Sequence, residues 1–504
     1  MQFFPQKSEF VQVYDADKPQ LVWASFLTDL ETPVSALLKL AKESSHYLLF
    51  ESVEGGKTRG RYSIIALDPD LLWKCEGNKS FINRIPQQDK NNWVADSARP
   101  FDSLRALRDE ISMDIPDQLP PMATGLFGYM GYDTIRQIEP RVPDNNEDTI
   151  GIPDGMYMRP TITVIFDSVR DEAMIITPVF PSEDVSAAEG YRQAVARIND
   201  IAGRIMHTRL DRTLFSRYYA SDQNKDMVFR SHVSQEEYCE MVEKSQEYIR
   251  AGDIFQVVPS RRLSCQFDMP AEALYRSLRH LNPSPYLFLV NFGDMALVGS
   301  SPEILVRVDA NDVVTIRPLA GTRKRGKTEA EDQALEVELL EDEKERAEHL
   351  MLLDLGRNDV GRVAKVGTIK VTEQMVVERY SHVMHIVSNV EGKMREDCDA
   401  FDALMAGFPA GTLSGAPKIR AMEIIDELEP ERRSFYGGTI GYFSAGGTMD
   451  TCIALRTGVI KDKTLYIQAG AGVVADSVPQ AEYNETEDKA GALVEAARQA
   501  VRFL

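Results

Sequence analysis

The spacing of apolar residues predicts a mixture of helices and strands along the chain. Helical periodicity runs through residues 186–207 and again from about Ser234 to Ala251. The strand-like run DVVTIRPLA precedes one long helical segment, residues 329–355, and a terminal helix is predicted to start near residue 480. Because strands and helices do not alternate regularly, the pattern favours an α+β fold over a doubly wound sheet.

Two polar stretches that contain proline, residues 84–92 and 139–155, predict long loops in the first part of the chain. A polar segment before the helix at Ser234 suggests a domain boundary near residue 225. The sequence therefore predicts an N-terminal half, 1–225, and a second half, 226–504, in which the candidate motifs are concentrated.

Composition narrows the class of protein. The 504 residues include 78 acidic and 57 basic residues, a net charge of −21, which argues against nucleic-acid binding but permits an anionic substrate in a locally basic pocket. Five scattered cysteines without a C-x-x-C pair suggest neither a zinc site nor a disulfide framework. Neither a signal peptide nor a membrane span is indicated, so we expect a soluble, cytoplasmic protein.

The segment LAGTRKRGKT matches the phosphate-binding pattern G-x-x-x-x-G-K-[ST]. The pattern works where small residues let backbone N–H groups surround a phosphate. Here the interior positions are Arg323, Lys324 and Arg325, and the following helix opens with acidic residues. We therefore interpret the segment as a charged loop between a strand and a helix.

Two pairs of glutamates lie one helical turn apart. Glu345 and Glu348 share a face of the long predicted helix, and Glu482 and Glu485 repeat the spacing on the terminal helix. Carboxylates on two rigid helices could converge on Mg²⁺, which prefers oxygen ligands. The alternative is that both pairs are ordinary solvated helix faces.

Other residues suggest an anion pocket. His382 and His385 could form a metal pair, although a single acid–base histidine or an ordinary packed histidine is the simpler interpretation. Gly, Thr and Ser residues precede Pro417 at a predicted helix start, where free backbone donors suit an anion. Arg456 lies in an otherwise apolar predicted strand, DTCIALRTGVI, and Gly470 and Gly472 follow it. A buried arginine calls for a planar anion.

A series of motifs then resembles a known family. The series is GDIFQVVPSR, PSPY, SPEILV, PLAGTRKRG, DEKERAEHLMLLDLGRNDVGRV, HVMHIVSNVEG, FPAGTLSGAPK, YGGTIGY, DTCIALRT and QAGAGVVADSVPQAEYNETEDKA. Together these segments resemble the chorismate-utilising enzymes and, among them, the anthranilate synthase component I group. The resemblance covers residues 230–500, and YLLFESVEGG extends it towards the N-terminus. It implies an α+β fold of packed antiparallel sheets flanked by helices, with strands from both halves.

Two positions distinguish the branches of that family. Related aminodeoxychorismate synthases usually have a nucleophilic lysine where this chain has Ala320. Isochorismate and salicylate synthases usually have a lysine base where this chain has Gln256, and an amide cannot deprotonate water. The resemblance therefore implies ammonia as the nucleophile and anthranilate as the product. Aminodeoxychorismate synthase is the alternative enzyme, and a catalytically silent binding protein is the alternative of another class.

The resemblance also implies site residues. Glu348 and Glu485 would hold Mg²⁺, with Glu345 and Glu482 close by. Catalysis would involve Glu303 as the acid that protonates the leaving 4-hydroxyl, His385 in the elimination of pyruvate, and Thr412 in fixing the intermediate. The substrate contacts would be Gly321, Thr322, Tyr436, Arg456, Gly470, Ala471 and Gly472.

Partners follow from the same resemblance. No segment resembles a glutaminase nucleophile motif, so a separate glutamine amidotransferase subunit, component II, is expected to supply ammonia. L-Tryptophan is expected as a feedback inhibitor that binds across the two halves of the chain. Its predicted contacts are Glu51, Ser52, Pro285, Tyr286 and Leu287.

Overall fold

The structure is a computed structural model that describes residues 1–54, 58–210, 227–380 and 383–504. The boundary predicted near residue 225 and the candidate metal ligand His382 both lie outside the described residues. Among the described residues, no helix is long and apolar enough to cross a membrane.

The described helices and strands are as follows. The α-helices are Lys7–Asp15, Pro33–Leu40, Pro100–Glu110, Ile135–Ile138, Ala187–His207, Gln235–Ala251, Ala271–Leu281, Glu329–Glu341, Glu343–Gly361, Ala400–Gly407, Gly411–Ser414, Lys418–Leu428 and Pro479–Gln499, and the 3₁₀ turns are Pro121–Ala123, Tyr132–Thr134 and Ala500–Phe503. The strands are Phe3–Phe4, Gln20–Leu27, Tyr47–Glu51, Val53–Glu54, Thr58–Arg59, Tyr62–Glu76, Lys79–Asn83, Val94–Asp96, Gly125–Met130, Gly155–Asp167, Glu172–Val179, Arg230–Ser231, Gln256–Val257, Ser260–Gln266, Tyr286–Asn291, Met295–Ser301, Ile304–Val308, Val313–Ile316, Leu319–Lys324, Lys370–Arg379, Val383–Lys393, Gly415–Ala416, Thr439–Ser444, Met449–Ile453, Thr457–Lys461 and Thr464–Gly470.

Antiparallel pairing joins strands from the first and second parts of the chain. Tyr47–Glu51 pairs with Tyr286–Asn291, and Gly125–Met130 pairs with Thr439–Ser444. The result is a continuous antiparallel network of strands with helices packed against it. The predicted α+β class, with antiparallel sheets flanked by helices, is confirmed.

Two large apolar clusters stabilise this arrangement. One contains Trp73 and Phe443, and the other contains Leu49 and Leu289, all of them buried. Burying a large apolar side chain contributes about 1.5–3 kcal/mol, so each cluster is a substantial source of stability. Since both clusters draw residues from distant parts of the sequence, the two parts of the chain depend on each other for their cores.

Several predicted helices are confirmed. The helix Gln235–Ala251 starts after Ser234, whose hydroxyl caps the N-terminus by accepting a hydrogen bond from the Glu237 N–H. The helix Ala187–His207 follows the predicted periodicity. The single long helix predicted for residues 329–355 is wrong, because two helices meet at Asp342. The backbone of Asp342 is extended, and its carboxylate caps the second helix.

Two strand predictions need correction. The run DVVTIRPLA divides between Val313–Ile316 and Leu319–Lys324, because Pro318 has no N–H to donate to a ladder. The second strand extends through Lys324, so the predicted charged loop is partly a strand. Arg456 lies between the strands Met449–Ile453 and Thr457–Lys461, not inside one, with φ of 48°.

Candidate active site

Glu303 is a buried residue between two strands and is 6% exposed. Burial raises its pKa to about 8, although a hydrogen bond from Thr412, the Leu319 N–H and the charge of Arg456 oppose the shift. The Thr412 hydroxyl donates to Oε1 over 3.1 Å. Because this pKa lies above 7, Glu303 is mostly protonated at neutral pH and can donate a proton.

His385 lies on the strand Val383–Lys393 and is also buried. Its Nδ1 is 2.9 Å from the Thr322 hydroxyl and 3.3 Å from the Gly321 carbonyl oxygen. Burial and, to a smaller extent, the positive charge of Arg456 lower the pKa of His385 to about 4. The ring is therefore neutral. We assign its proton to Nδ1 because a carbonyl oxygen can only accept, which leaves Nε2 as the basic nitrogen.

Gly321 brings the strand Leu319–Lys324 close to the first glutamate pair. A register shift between Ala320 and Thr322 places Gly321 at φ of 81°, a conformation that favours glycine. A Cβ at this position would lie 3.1 Å from Ile386 Cδ1 and 3.3 Å from Glu345 Oε2. The bulge thus sets the Gly321–Thr322 backbone between His385 and Glu345.

The four predicted metal glutamates occupy the helices Glu343–Gly361 and Pro479–Gln499. Burial raises the pKa of Glu348, and the negative charges of Glu345 and Glu485 raise it further, while a 2.8 Å hydrogen bond from Gln256 Nε2 lowers it. Burial likewise raises the pKa of Glu482, with Glu485 adding to the effect. Carboxylates on two helices therefore repel one another across a shared volume, an arrangement that a cation would relieve.

Metal coordination by protein groups alone is not evident in this volume. Within residues 1–54, 58–210, 227–380 and 383–504, no group of three or more His, Cys, Asp or Glu side chains is placed to hold a metal ion. Mg²⁺ commonly uses one or two carboxylates and completes its shell with water and substrate oxygens. The glutamates on the two helices fit this mode, in which one or two carboxylates hold the ion and other oxygens complete its shell.

Basic side chains border the glutamates. Arg323 Nη1 is 3.1 Å from Glu345 Oε1, and Lys489 Nζ is 2.7 Å from Glu485 Oε1. The Arg456 guanidinium, in contrast, has no ion-pair partner among the described residues, although its charge acts on both Glu303 and His385. An unpaired, partly buried guanidinium is suited to bind a carboxylate of a ligand.

The glycine segment after Arg456 closes the same region. A Cβ on Gly470 would lie 3.0 Å from the Tyr436 hydroxyl, and one on Gly472 would lie 2.8 Å from Gln256 Nε2. The intervening Ala471 N–H already donates to the Pro259 carbonyl oxygen over 3.2 Å. Gly470 and Gly472 therefore pack closely against Tyr436 and Gln256, but the Ala471 amide is already occupied.

A second region is a cavity of about 820 Å³. Its lining includes all five residues predicted to contact an effector: Glu51, Ser52, Pro285, Tyr286 and Leu287. The Glu51 carboxylate is held by Arg279 Nε at 2.6 Å and by the Tyr275 hydroxyl at 2.5 Å. Residues from distant parts of the sequence thus meet in one cavity large enough for a small organic ligand.

Comparison with known proteins identifies the family. The model of the chorismate binding enzyme family matches residues 46–495. The chain belongs to the chorismate-binding enzyme family. A curated relative from Cereibacter sphaeroides, named anthranilate synthase component 1, is 53% identical over 494 residues, which cover 98% of this chain and 97% of the relative.

Solved structures of similar proteins agree with this family. Anthranilate synthase component I from Streptococcus pneumoniae aligns with a TM-score of 0.75 and 37% identity, covering 86% of this chain and 92% of that one. The menaquinone-specific isochorismate synthase from Escherichia coli aligns with a TM-score of 0.68 over 95% of each chain. At 20% identity, this second match supports the fold alone.

Sequence reasoning missed two basic residues of this chorismate-utilising enzyme. Lys489 follows Glu485 by four residues on a helix, a spacing that predicts an ion pair and could have identified it. Arg323 was interpreted only as an obstacle to phosphate binding. Its contacts with Glu338, Asp342 and Glu345 depend on how the strand Leu319–Lys324 packs against two helices.

We expect Glu303 to carry a proton at pH 7. Infrared difference spectra between the parent and Glu303→Gln should show the carbonyl stretch of a protonated carboxylic acid, and this band should disappear as the pH rises through about 8. Thr412→Val, which removes the hydrogen bond to the charged form, should move the titration to higher pH. A band that is absent from the parent at pH 7 would contradict the assignment.

Proposed function

We propose that this protein is the large subunit of anthranilate synthase, a lyase of tryptophan biosynthesis. Chorismate and ammonia would give anthranilate, pyruvate and water. The proposal is supported by the name shared by its close relatives and by one observation of geometry: Glu303 and His385 are both buried, Glu303 held by the Thr412 hydroxyl and His385 held at Nδ1 by Gly321 and Thr322, and the charge of Arg456 reaches both. A proton donor and a proton acceptor thus lie beside a cation that can bind a carboxylate.

The first step would add ammonia to ring carbon 2 of chorismate while the 4-hydroxyl group leaves. Hydroxide is a poor leaving group, so it must be protonated as its bond to carbon breaks. Glu303 would supply that proton, since burial keeps its carboxyl group neutral near pH 7. Thr412 would hold the carboxyl group in position through its 3.1 Å hydrogen bond.

The second step would eliminate pyruvate and make the ring aromatic. A base must remove the proton from ring carbon 2, and Nε2 of His385 is the candidate because Nδ1 is occupied by Gly321 and Thr322. Arg456 and Tyr436 would bind the enolpyruvyl carboxylate during both steps. Burial raises the pKa of Tyr436, so its hydroxyl remains a hydrogen-bond donor.

Mg²⁺ is the proposed cofactor. Glu348 and Glu485 would hold it, with Glu345 and Glu482 close by, because these carboxylates repel one another in a partly buried volume. The bound ion would neutralise the ring carboxylate of chorismate and help to fix the orientation of the ring.

Ammonia would come from a partner subunit. Ala320 offers no nucleophile, and the Gln256 amide donates its hydrogen bond to Glu348, so neither side chain replaces external ammonia. We infer that a glutamine amidotransferase, anthranilate synthase component II, releases ammonia from glutamine and passes it to this site. Such transfer would keep ammonia from being protonated in solvent.

L-Tryptophan is the proposed inhibitor, and the 820 Å³ cavity is its proposed site. Apolar residues such as Phe50, Ile64 and Phe288 could contact an indole ring. The cavity also offers Ser52, Arg317 and Glu378 as polar partners for the zwitterionic end. The strand Tyr47–Glu51 pairs with Tyr286–Asn291 at this cavity, so a ligand here would contact both parts of the chain. Binding could then bias how these parts pack.

The proposed activity can be tested with chorismate, Mg²⁺ and an ammonium salt at mildly alkaline pH, where part of the ammonium is free ammonia and Glu303 retains part of its protons. The parent should form fluorescent anthranilate. His385→Ala should still consume chorismate but release an aminated, non-aromatic intermediate, because the second step loses its base. The exposed His280 provides a control, and His280→Ala should behave as the parent does. A parent that forms no anthranilate would refute the proposal.

The proposed metal site can be tested by calorimetry of Mg²⁺ binding with chorismate present. Glu348→Gln and Glu485→Gln should each weaken binding by about tenfold or more, since removing even an indirect metal partner costs that much. Glu343→Gln is a matched control, because Glu343 is exposed on the same helix as Glu348. Excess EDTA should abolish turnover, and full activity in EDTA would contradict the metal requirement.

The regulatory proposal can be tested through chorismate saturation curves. Tryptophan should raise the apparent chorismate requirement of the parent, whereas Ser52→Phe should remain active and resist inhibition because its larger side chain enters the cavity. The exposed Ser97 allows a matched control, Ser97→Phe, which should remain sensitive. A parent that is indifferent to tryptophan would refute the regulatory proposal.

A further inference from the structure

The 820 Å³ cavity extends along the same strand that carries His385. Val387, Asn389 and Glu391 line the cavity, and they alternate on one face of the strand Val383–Lys393. His385 is the next residue on that face, about 7 Å along the strand from Val387. The cavity and the catalytic histidine are therefore neighbours on one face of the sheet.

Tyr380 occupies the boundary between them. It is buried, it lines the cavity, and its ring lies 5.5 Å from the imidazole of His385 at an interplanar angle of 64°. This is an edge-to-face contact, a favoured geometry for aromatic rings. The Gly321 carbonyl and the Thr322 hydroxyl hold only Nδ1, so the Tyr380 ring supports a different part of the imidazole.

The hydroxyl group of Tyr380 connects to charged groups in the cavity. It donates to Glu378 Oε2 over 2.8 Å, and the other oxygen of Glu378 lies 2.6 Å from Arg317 Nη1. Arg317 Nη2 is in turn 2.7 Å from Glu373. All four side chains line the cavity, so a ligand with an ammonium or carboxylate group at this end would compete for the same contacts.

We propose that Tyr380 is a positioning residue that holds His385 for the second chemical step and makes its orientation depend on the occupant of the cavity. This inference rests on the proposed anthranilate synthase activity. The ring of Tyr380 acts on His385 by direct contact. Its hydroxyl group ties that ring to the pair formed by Glu378 and Arg317, which a zwitterionic ligand can disturb.

Pro302 and Ile304 form another shared wall. Both line the cavity, whereas Glu303 between them is hydrogen-bonded to Thr412 on the catalytic side. A ligand that displaces Pro302 or Ile304 would affect Glu303, the acid of the first step. A ligand that displaces Tyr380 would instead affect His385, the base of the second step. The two routes therefore predict different products, which makes them experimentally separable.

The test compares Tyr380→Leu and Tyr380→Phe with the parent. Chorismate consumption and anthranilate formation are measured separately, each with and without tryptophan. Tyr380→Leu should keep its chorismate KM and its consumption of chorismate, but the fraction converted to anthranilate should fall about fivefold or more as the aminated intermediate escapes. Tyr380→Phe retains the aromatic ring, so it should convert the same fraction of consumed chorismate to anthranilate as the parent does.

Tyr380→Phe should also lose part of its response to tryptophan, because it lacks the hydroxyl link to Glu378. The concentration of tryptophan that halves the activity should rise about tenfold, while the fraction of consumed chorismate converted to anthranilate stays constant. Tyr442→Phe is the matched control, since Tyr442 lines the same cavity and its ring packs against Phe127. That variant should retain the parent product ratio.

The outcomes separate this inference from the proposed function. If the parent forms anthranilate but Tyr380→Leu lowers consumption and anthranilate formation equally, Tyr380 does not position His385. If Tyr380→Phe is inhibited as strongly as the parent, the hydroxyl link is wrong and the Pro302–Ile304 wall carries the coupling. A parent without anthranilate formation would overturn the proposed function itself.

Discussion

The antiparallel pairing of Leu319–Lys324 with Val383–Lys393 is the contact on which the candidate active site depends. Its register places Thr322 opposite His385, and the bulge at Gly321 turns a carbonyl oxygen towards the imidazole. The same bulge brings the backbone close to Glu345, since a Cβ on Gly321 would lie 3.3 Å from Glu345 Oε2. One local irregularity in a ladder therefore connects His385, the Gly321–Thr322 backbone and Glu345.

Burial determines the charges within this framework. Glu303 becomes a neutral acid and His385 a neutral base because the loss of water penalises their charged forms, and the charge of Arg456 favours the neutral histidine but opposes the protonation of Glu303. Burial also raises the pKa of Glu348 and of Glu482, and the negative charges of neighbouring glutamates add to the shift, which a cation can offset. A site with these properties suits a dianionic substrate in a protein whose net charge is −21.

The sheet also places the 820 Å³ cavity and the candidate active site on one surface. The cavity that receives Glu51 and Ser52 from the first part of the chain ends at Tyr380, which contacts His385. Val387, Asn389 and Glu391 line the cavity, and His385 follows on the same face of the strand Val383–Lys393, so one strand face borders both the cavity and the candidate active site. Ser52 and His385 are far apart in the sequence, but the regions to which they belong are adjacent in space.

The sequence by itself determined the helices with clear periodicity and caps, such as Gln235–Ala251, because those signals are local. Its motifs also indicated the family and the candidate residues. The break at Asp342, the position of Arg456 between two strands and the pairing of Arg323 depended on tertiary packing. The neutral state of Glu303 and the contact between Tyr380 and His385 were likewise decided only in the folded chain, because burial and register arise from residues that are distant in sequence.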